Sequence, residues 1–333
     1  NTEGRAALHT ALRAYGDVQF PQIVEERIAF LSKAEEIIGN NNFKYVVQIG
    51  IGGSYIGPKM VNEALSKYSN HRFDISYLAN IDNTDFDKIF SKIETDKTLF
   101  IIASKSLSTS ETQYNFEKVL NKLGLSKPND NFLCLTANKE KALEIGFNEE
   151  NILAFSESIG GRYSLWSSIG FTIALNIGVD KYEDLLKGAE IADIHFKDTD
   201  DYFKNIPFIL AFINVWYRNF FDLRVKAKIP YADSLKYLPE YLQQLEMESL
   251  GKLVDKEGNK VKYATGGTIF GNRGTNSQHS FFQMIHQGVD IIPVEFIAIA
   301  DSDKKLLANC FAQSRALMMG QDISELEIDE NIG

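Results

Sequence analysis

The sequence predicts an α/β fold in which two successive blocks of parallel strands are covered by helices. Apolar runs of strand length alternate with amphipathic stretches of helix length, and that alternation means parallel pairing through right-handed crossovers. The apolar runs are continuous, as strands buried on both faces require. The rhythm stops at a charged, polar stretch over residues 179–204 and then resumes.

Residues 22–38 set Ile23, Ile28, Leu31 and Ile37 among Glu and Lys residues, the pattern of an amphipathic helix. The run Tyr45-Val46-Val47-Gln48-Ile49 predicts a strand over 45–50, followed by a glycine-rich turn and a helix over 58–68. A strand at 73–79, a helix at 84–92, a strand at 98–103, a helix at 109–123, a strand at 131–136 and a helix at 138–145 follow. Lys181, Glu183, Asp184, Asp193, Asp198, Asp200 and Asp201 make the next stretch polar, and it reads as helices and a connection. The second block comprises a helix at 207–219, a strand at 222–229, helices at 234–250 and 276–287, a strand at 291–300 and a helix at 302–319. The expected division is a first domain over 1–180 with a helical lead-in, a connection over 181–204 and a second domain over 205–333.

A chain of 333 residues with 44% hydrophobic and 24% charged residues has an ordinary globular balance. Its net charge of -10 argues against a nucleic-acid or anionic-membrane partner, so any attraction for an anion must be local. The longest apolar run, 206–217, is short for a membrane span and contains Asn214. Cys134 lies in an apolar run and Cys310 in a helical pattern. Two buried cysteines without metal spacing fit a reducing, cytoplasmic location.

Five segments carry chemistry. The first is Gly50-Ile51-Gly52-Gly53-Ser54-Tyr55-Ile56-Gly57-Pro58, where glycines allow close backbone approach and a helix start offers N–H groups to an anion. Tyr55 stands where a dinucleotide fingerprint needs its third glycine, and the Gly-Lys-Ser of a P-loop is missing. The reading is an anion or sugar site with Ser54 as a hydroxyl donor; a turn packed for backbone reasons is the plain alternative. The second is Ser104-Lys105-Ser106-Leu107-Ser108-Thr109-Ser110-Glu111-Thr112, at the start of the helix over 109–123. Six of its nine residues carry hydroxyls, and Ser108 and Glu111 have capping-box spacing. Hydroxyls, one lysine and a helix N-terminus suit a phosphate monoester better than a simple cap does.

In the third segment, 160–170, Gly160 and Gly161 put Arg162 on a sharp turn just before a helix, where it can stabilise charge that develops on oxygen. An exposed loop arginine is the alternative. The fourth spans 237–252. Leu238, Leu242 and Leu245 form an apolar stripe, and Gln244 and Glu248 share the face beside it. Gly251 stops the helix, so Glu248 falls in a last turn whose dipole disfavours negative charge. With partial burial, that suits a general base near neutrality, against the default of a solvated glutamate. The fifth spans 274–288. Asn276 or Ser277 caps a helix, and His279 in its first turn is a neutral imidazole available for acid/base work. His286 reads as a structural hydrogen-bonding residue, and the spacing does not fit a zinc site.

Together these segments resemble the glucose-6-phosphate isomerase (phosphoglucose isomerase) family over nearly the whole chain, in the right order. Residues 1–13 look like that family too. The resemblance implies two sugar isomerase (SIS) domains, each a parallel sheet flanked by helices in a flavodoxin-like arrangement. It implies interconversion of glucose 6-phosphate and fructose 6-phosphate through an enediol(ate), in glycolysis and gluconeogenesis, with no metal or organic cofactor. Ser104, Lys105, Ser106 and Thr109 match the phosphate loop, and Gly53 and Ser54 lie in the first sugar-phosphate turn. Arg162 matches the arginine that steadies the enediolate, Glu248 the base that moves the proton between C1 and C2, and Gln244 a binding partner beside it. His279 matches the ring-opening histidine, which in this family comes from the second subunit of a homodimer.

Ser106 and Ser108 stand where threonines are common, and Leu250 and Ser277 where Asn and Gly are common. The family also continues past the last residue here and supplies a catalytic lysine from a Gly-Lys segment that has no counterpart in this sequence. The chain is therefore expected to be the central piece of a longer protein, with an incomplete second domain and poor turnover by itself. Leu306, Leu307, Phe311, Leu317 and Met318 are expected to need a cover. A sugar-phosphate-binding protein without turnover is the second reading. It would need the hydroxyl loop but not Arg162, Glu248 and His279 together.

Overall fold

The computed structural model describes residues 4–14 and 19–320. The readings made for residues 1–3 and for the chain after residue 320 lie outside the described residues.

The first sheet has five parallel strands in the order β2-β1-β3-β4-β5. Helix α1 (Pro21–Gly39) opens on a proline, whose fixed φ suits a first helical turn, and buries Ile23, Phe30, Leu31, Ala34 and Ile37. Then come β1 (Tyr45–Ile49), α2 (Ile56–Ala64), β2 (Asp74–Leu78) and α3 (Asn83–Phe90). Strand β3 (Thr98–Ala103), α4 (Ser110–Leu123), β4 (Phe132–Thr136), α5 (Lys139–Ile145) and β5 (Ile152–Ala154) complete it. Every residue of β1, β3 and β4 is buried, because helices cover both faces. The strands after β1 step outward to β2 and then return to β3 on the other side of β1. Ligands of open parallel sheets sit at the C-terminal ends of the strands beside such a reversal. The glycine turn and the hydroxyl loop leave β1 and β3 at that point.

Two elements here carry no sequence signal. Strand β5 has only three residues. Helix α6 (Phe171–Ile177) buries Phe171, Thr172, Ile173, Ala174, Leu175 and Ile177, so it has no polar face to generate a period. Helix α7 (Val179–Asp198) is one helix of 20 residues where several pieces were expected, and only Tyr182 and Leu186 are buried.

The second sheet has three parallel strands in the order β7-β6-β8. Helix α8 (Ile206–Phe220) precedes β6 (Val225–Tyr231), and α9 (Leu238–Leu242) continues into a π-helical turn (Gln243–Glu248). Strand β7 (Thr268–Phe270), α10 (Gly274–Gln278), α11 (Phe282–Gln287), β8 (Val294–Ala298) and α12 (Lys304–Met319) follow. The helix expected over 276–287 is two short helices that break at His279, and the one expected over 234–250 changes its winding midway. Strand β7, three residues between glycines, went unread. The halves meet where Tyr241 of α9 joins the core beneath the first sheet and Lys236 pairs with Glu63 at 2.7 Å.

No residue of α8 is buried among the described residues, and Phe212, Trp216 and Phe220 stand exposed. On α12, Phe311 and Met318 are exposed, whereas Leu306, Leu307 and Leu317 are half-buried. Among the described residues no helix is long and apolar enough to cross a membrane. Cys134 and Cys310 are both buried and free, and burial pushes the Cys134 thiol up to about 12.

Phe100 lies fully buried on β3, with its ring 5.1 Å from that of Phe132. Phe100→Ala should lower unfolding stability by about 3–5 kcal/mol, through lost burial and the cavity left behind. Urea unfolding measures it, and an unchanged midpoint would refute this packing.

Candidate functional site

The glycine turn begins with Gln48, the one polar side chain of β1, whose Nε2 donates to the Ser54 carbonyl at 2.8 Å. The 3-10 turn Gly52–Ser54 closes with Tyr55 N donating to the Gly52 carbonyl at 3.0 Å. Gly52 has a φ of 58, which favours glycine, and a Cβ there would meet Gln244 Nε2 at 3.0 Å. At Gly53 a Cβ would lie 2.1 Å from the Gly161 carbonyl oxygen and 2.7 Å from the Arg162 nitrogen. The glycine of the first segment is therefore required by the backbone of the third. Only bare backbone lets the two turns touch.

The hydroxyl loop is shaped from within. Ser104 is buried and accepts from Leu107 N at 3.1 Å, while Leu107 buries its side chain at a left-handed φ of 51. Gln113 Nε2 donates to the Leu107 carbonyl at 2.8 Å. The Lys105 carbonyl accepts from Ala137 N at 3.0 Å and Thr136 Oγ1 at 3.1 Å, which ties the loop to the end of β4. The capping-box spacing is not used. Thr109 is the N-cap of α4 and makes no side-chain cap bond, and Glu111 accepts from Ser110 Oγ at 2.9 Å. The Thr109 hydroxyl, and those of Ser106 and Ser108, which bond each other at 2.6 Å, thus remain at a helix N-terminus whose dipole favours an anion.

Arg162 lies in the 3-10 turn Gly161–Trp166 and reaches the second half of the chain. Its Nε donates to Ser249 Oγ at 2.6 Å and its Nη1 to Glu248 Oε1 at 3.0 Å. Ser249 Oγ also takes the Tyr163 hydroxyl at 2.7 Å and donates to the Leu245 carbonyl at 2.5 Å. One proton and two lone pairs are then all in use. His9 stacks on Tyr163 with ring centroids 4.3 Å apart. Arg13 holds this lead-in segment by a bidentate pair with Asp193, both bonds 2.7 Å, and lies over Trp166. Burial, and then the Arg13 charge, push the His9 imidazole below its ordinary value.

The π-helical turn is held on several sides. Gln243 Nε2 donates to the Ile269 carbonyl at 3.1 Å, and Glu246 pairs with Lys226 of β6. Such wider turns occur often at functional sites. Gln244 and Glu248 face the first half. Gln244 Nε2 lies beside Gly52, and its Oε1 is buried without a partner among the described residues. Glu248 does not have the partial burial expected of it: its side chain is 54% exposed, against 22% for Arg162. The reason is that it leaves the last turn toward the guanidinium and away from the core.

Two further expectations change. His279 is the C-cap of α10, not a first-turn residue, and the N-cap is Arg273 and not Asn276 or Ser277. The Ser277 hydroxyl donates to the Arg273 carbonyl at 2.8 Å. His279 is exposed and makes no side-chain hydrogen bond among the described residues. The structure brings together Gly53, Ser54, Gln244, Glu248 and Arg162, and among the described residues His279 makes no hydrogen bond or ion pair with them. His286 bonds Gln313 of α12 at 3.0 Å. A cleft of about 1050 Å³ opens beside the site, lined by Gly52, Tyr55, Lys59, Tyr77, Tyr237 and Gln244, so it takes in only one edge of the cluster. The sequence reading missed His9, Tyr163 and Ser249. Tyr163 and Ser249 adjoin Arg162 and Glu248 in sequence, the one signal that could have found them. Among the described residues no group of His, Cys, Asp and Glu is arranged to hold a metal ion.

A family model described as phosphoglucose isomerase matches residues 1–332. The glucose-6-phosphate isomerase of Chlorobium luteolum is 42% identical over 355 residues, covering 97% of this chain and 64% of that protein. That of Paraburkholderia xenovorans is 41% identical over 349 residues, with coverage of 97% and 64%. The chain thus spans about 64% of the length of these relatives. The crystal structure of a glucose-6-phosphate isomerase from Chlamydia trachomatis is similar with a TM-score of 0.85 at 33% identity, covering 96% of this chain and 66% of that one. A Thermus thermophilus protein titled hypothetical shares the fold at a TM-score of 0.73 and 23% identity, covering 94% and 76%.

The stacked His9 generates a pH dependence with a definite sign. Its folded-state value is depressed, so its contribution to stability is full above the unfolded value of 6.5 and is lost as pH falls from there through the folded value. His9→Phe keeps a ring on Tyr163 and removes the proton. Urea midpoints followed downward from neutral pH should decline less in His9→Phe than in the parent. Identical slopes would mean that His9 does not sit buried and neutral.

Proposed function

The chain belongs to the phosphoglucose isomerase family, and from that premise we propose that the protein interconverts glucose 6-phosphate and fructose 6-phosphate. The observation that carries the reading is the Arg162–Glu248 pair, 3.0 Å apart and set against the glycine turn. The phosphate is held by the loop of Ser104, Lys105, Ser106 and Thr109 at the start of α4, which supplies hydroxyl donors, a cation and a helix N-terminus. Gly53 and Ser54 border the sugar, and Gln244 offers its unspent acceptor to a sugar hydroxyl.

Glu248 takes the proton from C2 of the open-chain aldose. The C–H electron pair becomes the C1=C2 bond of an enediolate, and the charge moves to oxygen. Arg162 lies where its guanidinium can share that charge. The O2 hydroxyl proton passes to O1, Glu248 returns the carbon-bound proton to C1, and C2 becomes the carbonyl of the ketose. The scheme uses proton transfer and charge stabilisation alone, so it requires neither a metal nor an organic cofactor. Ring opening needs a further acid/base, and His279 is the candidate. The family resemblance implies that it serves the site of a second copy, so the proposed working form is a homodimer. In this proposal each half of the chain, divided near residues 181–204, contributes one side of the site, and the enzyme works in the cytoplasm in glycolysis and gluconeogenesis. A sugar-phosphate binder without turnover would use the hydroxyl loop alone, and relatives named as isomerases do not favour it.

Lys105→Ala or Thr109→Val should weaken binding of fructose 6-phosphate far more than binding of fructose. Calorimetric titration of both ligands decides, and equal losses would remove the loop from phosphate recognition. Glu248→Gln keeps shape and hydrogen bonding but removes the base, and should cost about 10²–10⁴ in rate. Exchange of the substrate C2 proton with D₂O, followed by NMR on the intact protein, should disappear with it. Exchange that persists in the variant would assign the proton transfer to another group.

A further inference from the structure

The glycine turn is the end of a chain of side-chain hydrogen bonds that runs from the cleft wall, lined by Ser69, Asn176, Asn62 and Tyr77, into the core, and that the proposed chemistry does not touch. Ser69 Oγ donates to Asn176 Oδ1 at 2.7 Å, and Asn176 Nδ2 donates to Asn62 Oδ1 at 3.1 Å. Asn62 Nδ2 donates to the Tyr77 hydroxyl at 2.6 Å, which lies 3.1 Å from Thr172 Oγ1. Thr172 Oγ1 donates to Gln48 Oε1 at 3.0 Å, and Gln48 Nε2 donates to the Ser54 carbonyl at 2.8 Å.

The direction of this chain is determined. Gln48 Oε1 only accepts, so the single Thr172 proton goes to it, and Tyr77 must supply its own proton to Thr172. The phenol in turn accepts from Asn62. All six bonds therefore run one way, from Ser69 at the rim of the cleft to the carbonyl of Ser54. Aligned bonds in a low-dielectric interior strengthen one another. The two members nearest the turn are deeply buried. Gln48 is 1% exposed on a strand otherwise made of Tyr, Val and Ile, and Thr172 is 0% exposed within the apolar helix α6. Burial pushes the Tyr77 phenol up to about 12, so it stays protonated and keeps its donor role. Polar groups in a core are costly unless every partner is present, and these link the interior to the turn instead of to each other alone.

We propose that Gln48, Thr172 and Tyr77 are positioning residues of the sugar-phosphate site, which hold the Ser54 carbonyl so that the 52–54 turn presents Ser54 and seats Gly53 against the Arg162 turn. The geometry supports both halves of this. The Gln48 bond lands on the residue that carries the candidate hydroxyl, and the neighbouring Gly53 leaves no room for a Cβ beside Gly161. A shift of the turn would therefore move Arg162 as well. The consequence for affinity rests on the isomerase reading; the control of turn geometry does not.

Thr172→Val keeps the shape and breaks the chain in its middle, and Thr172→Ser restores the hydroxyl. Tyr77→Phe is the second variant should Thr172→Val fail to fold, since it removes one oxygen and keeps the ring. Ser69→Ala lies at the rim, where water can replace the lost hydroxyl. In the ligand-free intact protein, hydrogen–deuterium exchange of the amides of residues 52–55 should quicken about tenfold in Thr172→Val and Tyr77→Phe, the scale of one broken buried hydrogen bond. It should return to the parent rate in Thr172→Ser and stay there in Ser69→Ala. The Kd of fructose 6-phosphate should rise about tenfold in the same two variants. Unchanged exchange at 52–55 together with a lowered unfolding midpoint would make the chain a fold-stabilising device only and overturn the proposal. If the parent neither binds nor converts the sugar phosphate, the isomerase reading fails, and the exchange rates still decide whether the chain positions the turn.

Discussion

Arg162 joins the two halves of the molecule through two bonds of one guanidinium, Nε to Ser249 and Nη1 to Glu248. Its planar fork leaves little freedom once both are made, which a lysine could not reproduce. Everything else in the site answers to that span. Gly53 lets the turns close up, so that the arginine starts from a fixed backbone. Tyr163 and the Leu245 carbonyl use the rest of the Ser249 hydroxyl, and His9 packs the outer side of Tyr163. On the far side, Lys226 and the Ile269 carbonyl hold the π-helical turn that carries Glu248. A carboxylate and a guanidinium kept in register by rigid elements give the preorganised charge that the proposed enolisation needs.

The proposed anion side of the site is built differently. The chain carries a net charge of -10, so the whole-molecule field repels a phosphate. Attraction must come from partial charges at close range, and those fall within a Debye length of the surface. The left-handed Leu107, the buried Ser104 and the tether to the end of β4 aim the loop, and the start of α4 provides the dipole. The apolar surface left on α8 and α12 is of another kind. It has no cover among the described residues.

What could be read in advance follows from range. The first sheet was legible almost strand by strand, because continuous apolar runs and turn glycines are local signals, and Gly50 through Pro58 marks its turn without ambiguity. Arg162, Gln244 and Glu248 were legible as candidates because each sits in a patterned segment. Helix α6 was hidden by burial on every side, and β5 and β7 by their length of three residues. The break at His279 and the π-helical winding arise from packing between distant elements, which no local period records. The roles of Ser249, Tyr163, His9 and Gln48 share that cause. Each depends on a partner many residues away, and Gln48 in particular looks like an ordinary strand residue until Thr172 reaches it from α6.

The central claim is that Arg162 acts through its Nε contact to Ser249, and a double-mutant cycle tests it most directly. Arg162→Lys keeps a charge but removes Nε, Ser249→Ala removes the acceptor, and both are combined in the intact protein. Conversion of fructose 6-phosphate is measured as kcat/KM for the parent and all three variants. The account predicts strong non-additivity: once Arg162→Lys is present, Ser249→Ala adds almost nothing, with a coupling of about 0.5–3 kcal/mol. Additive losses would show that serine and arginine work independently and would contradict the clasp on which this reading of the site is built.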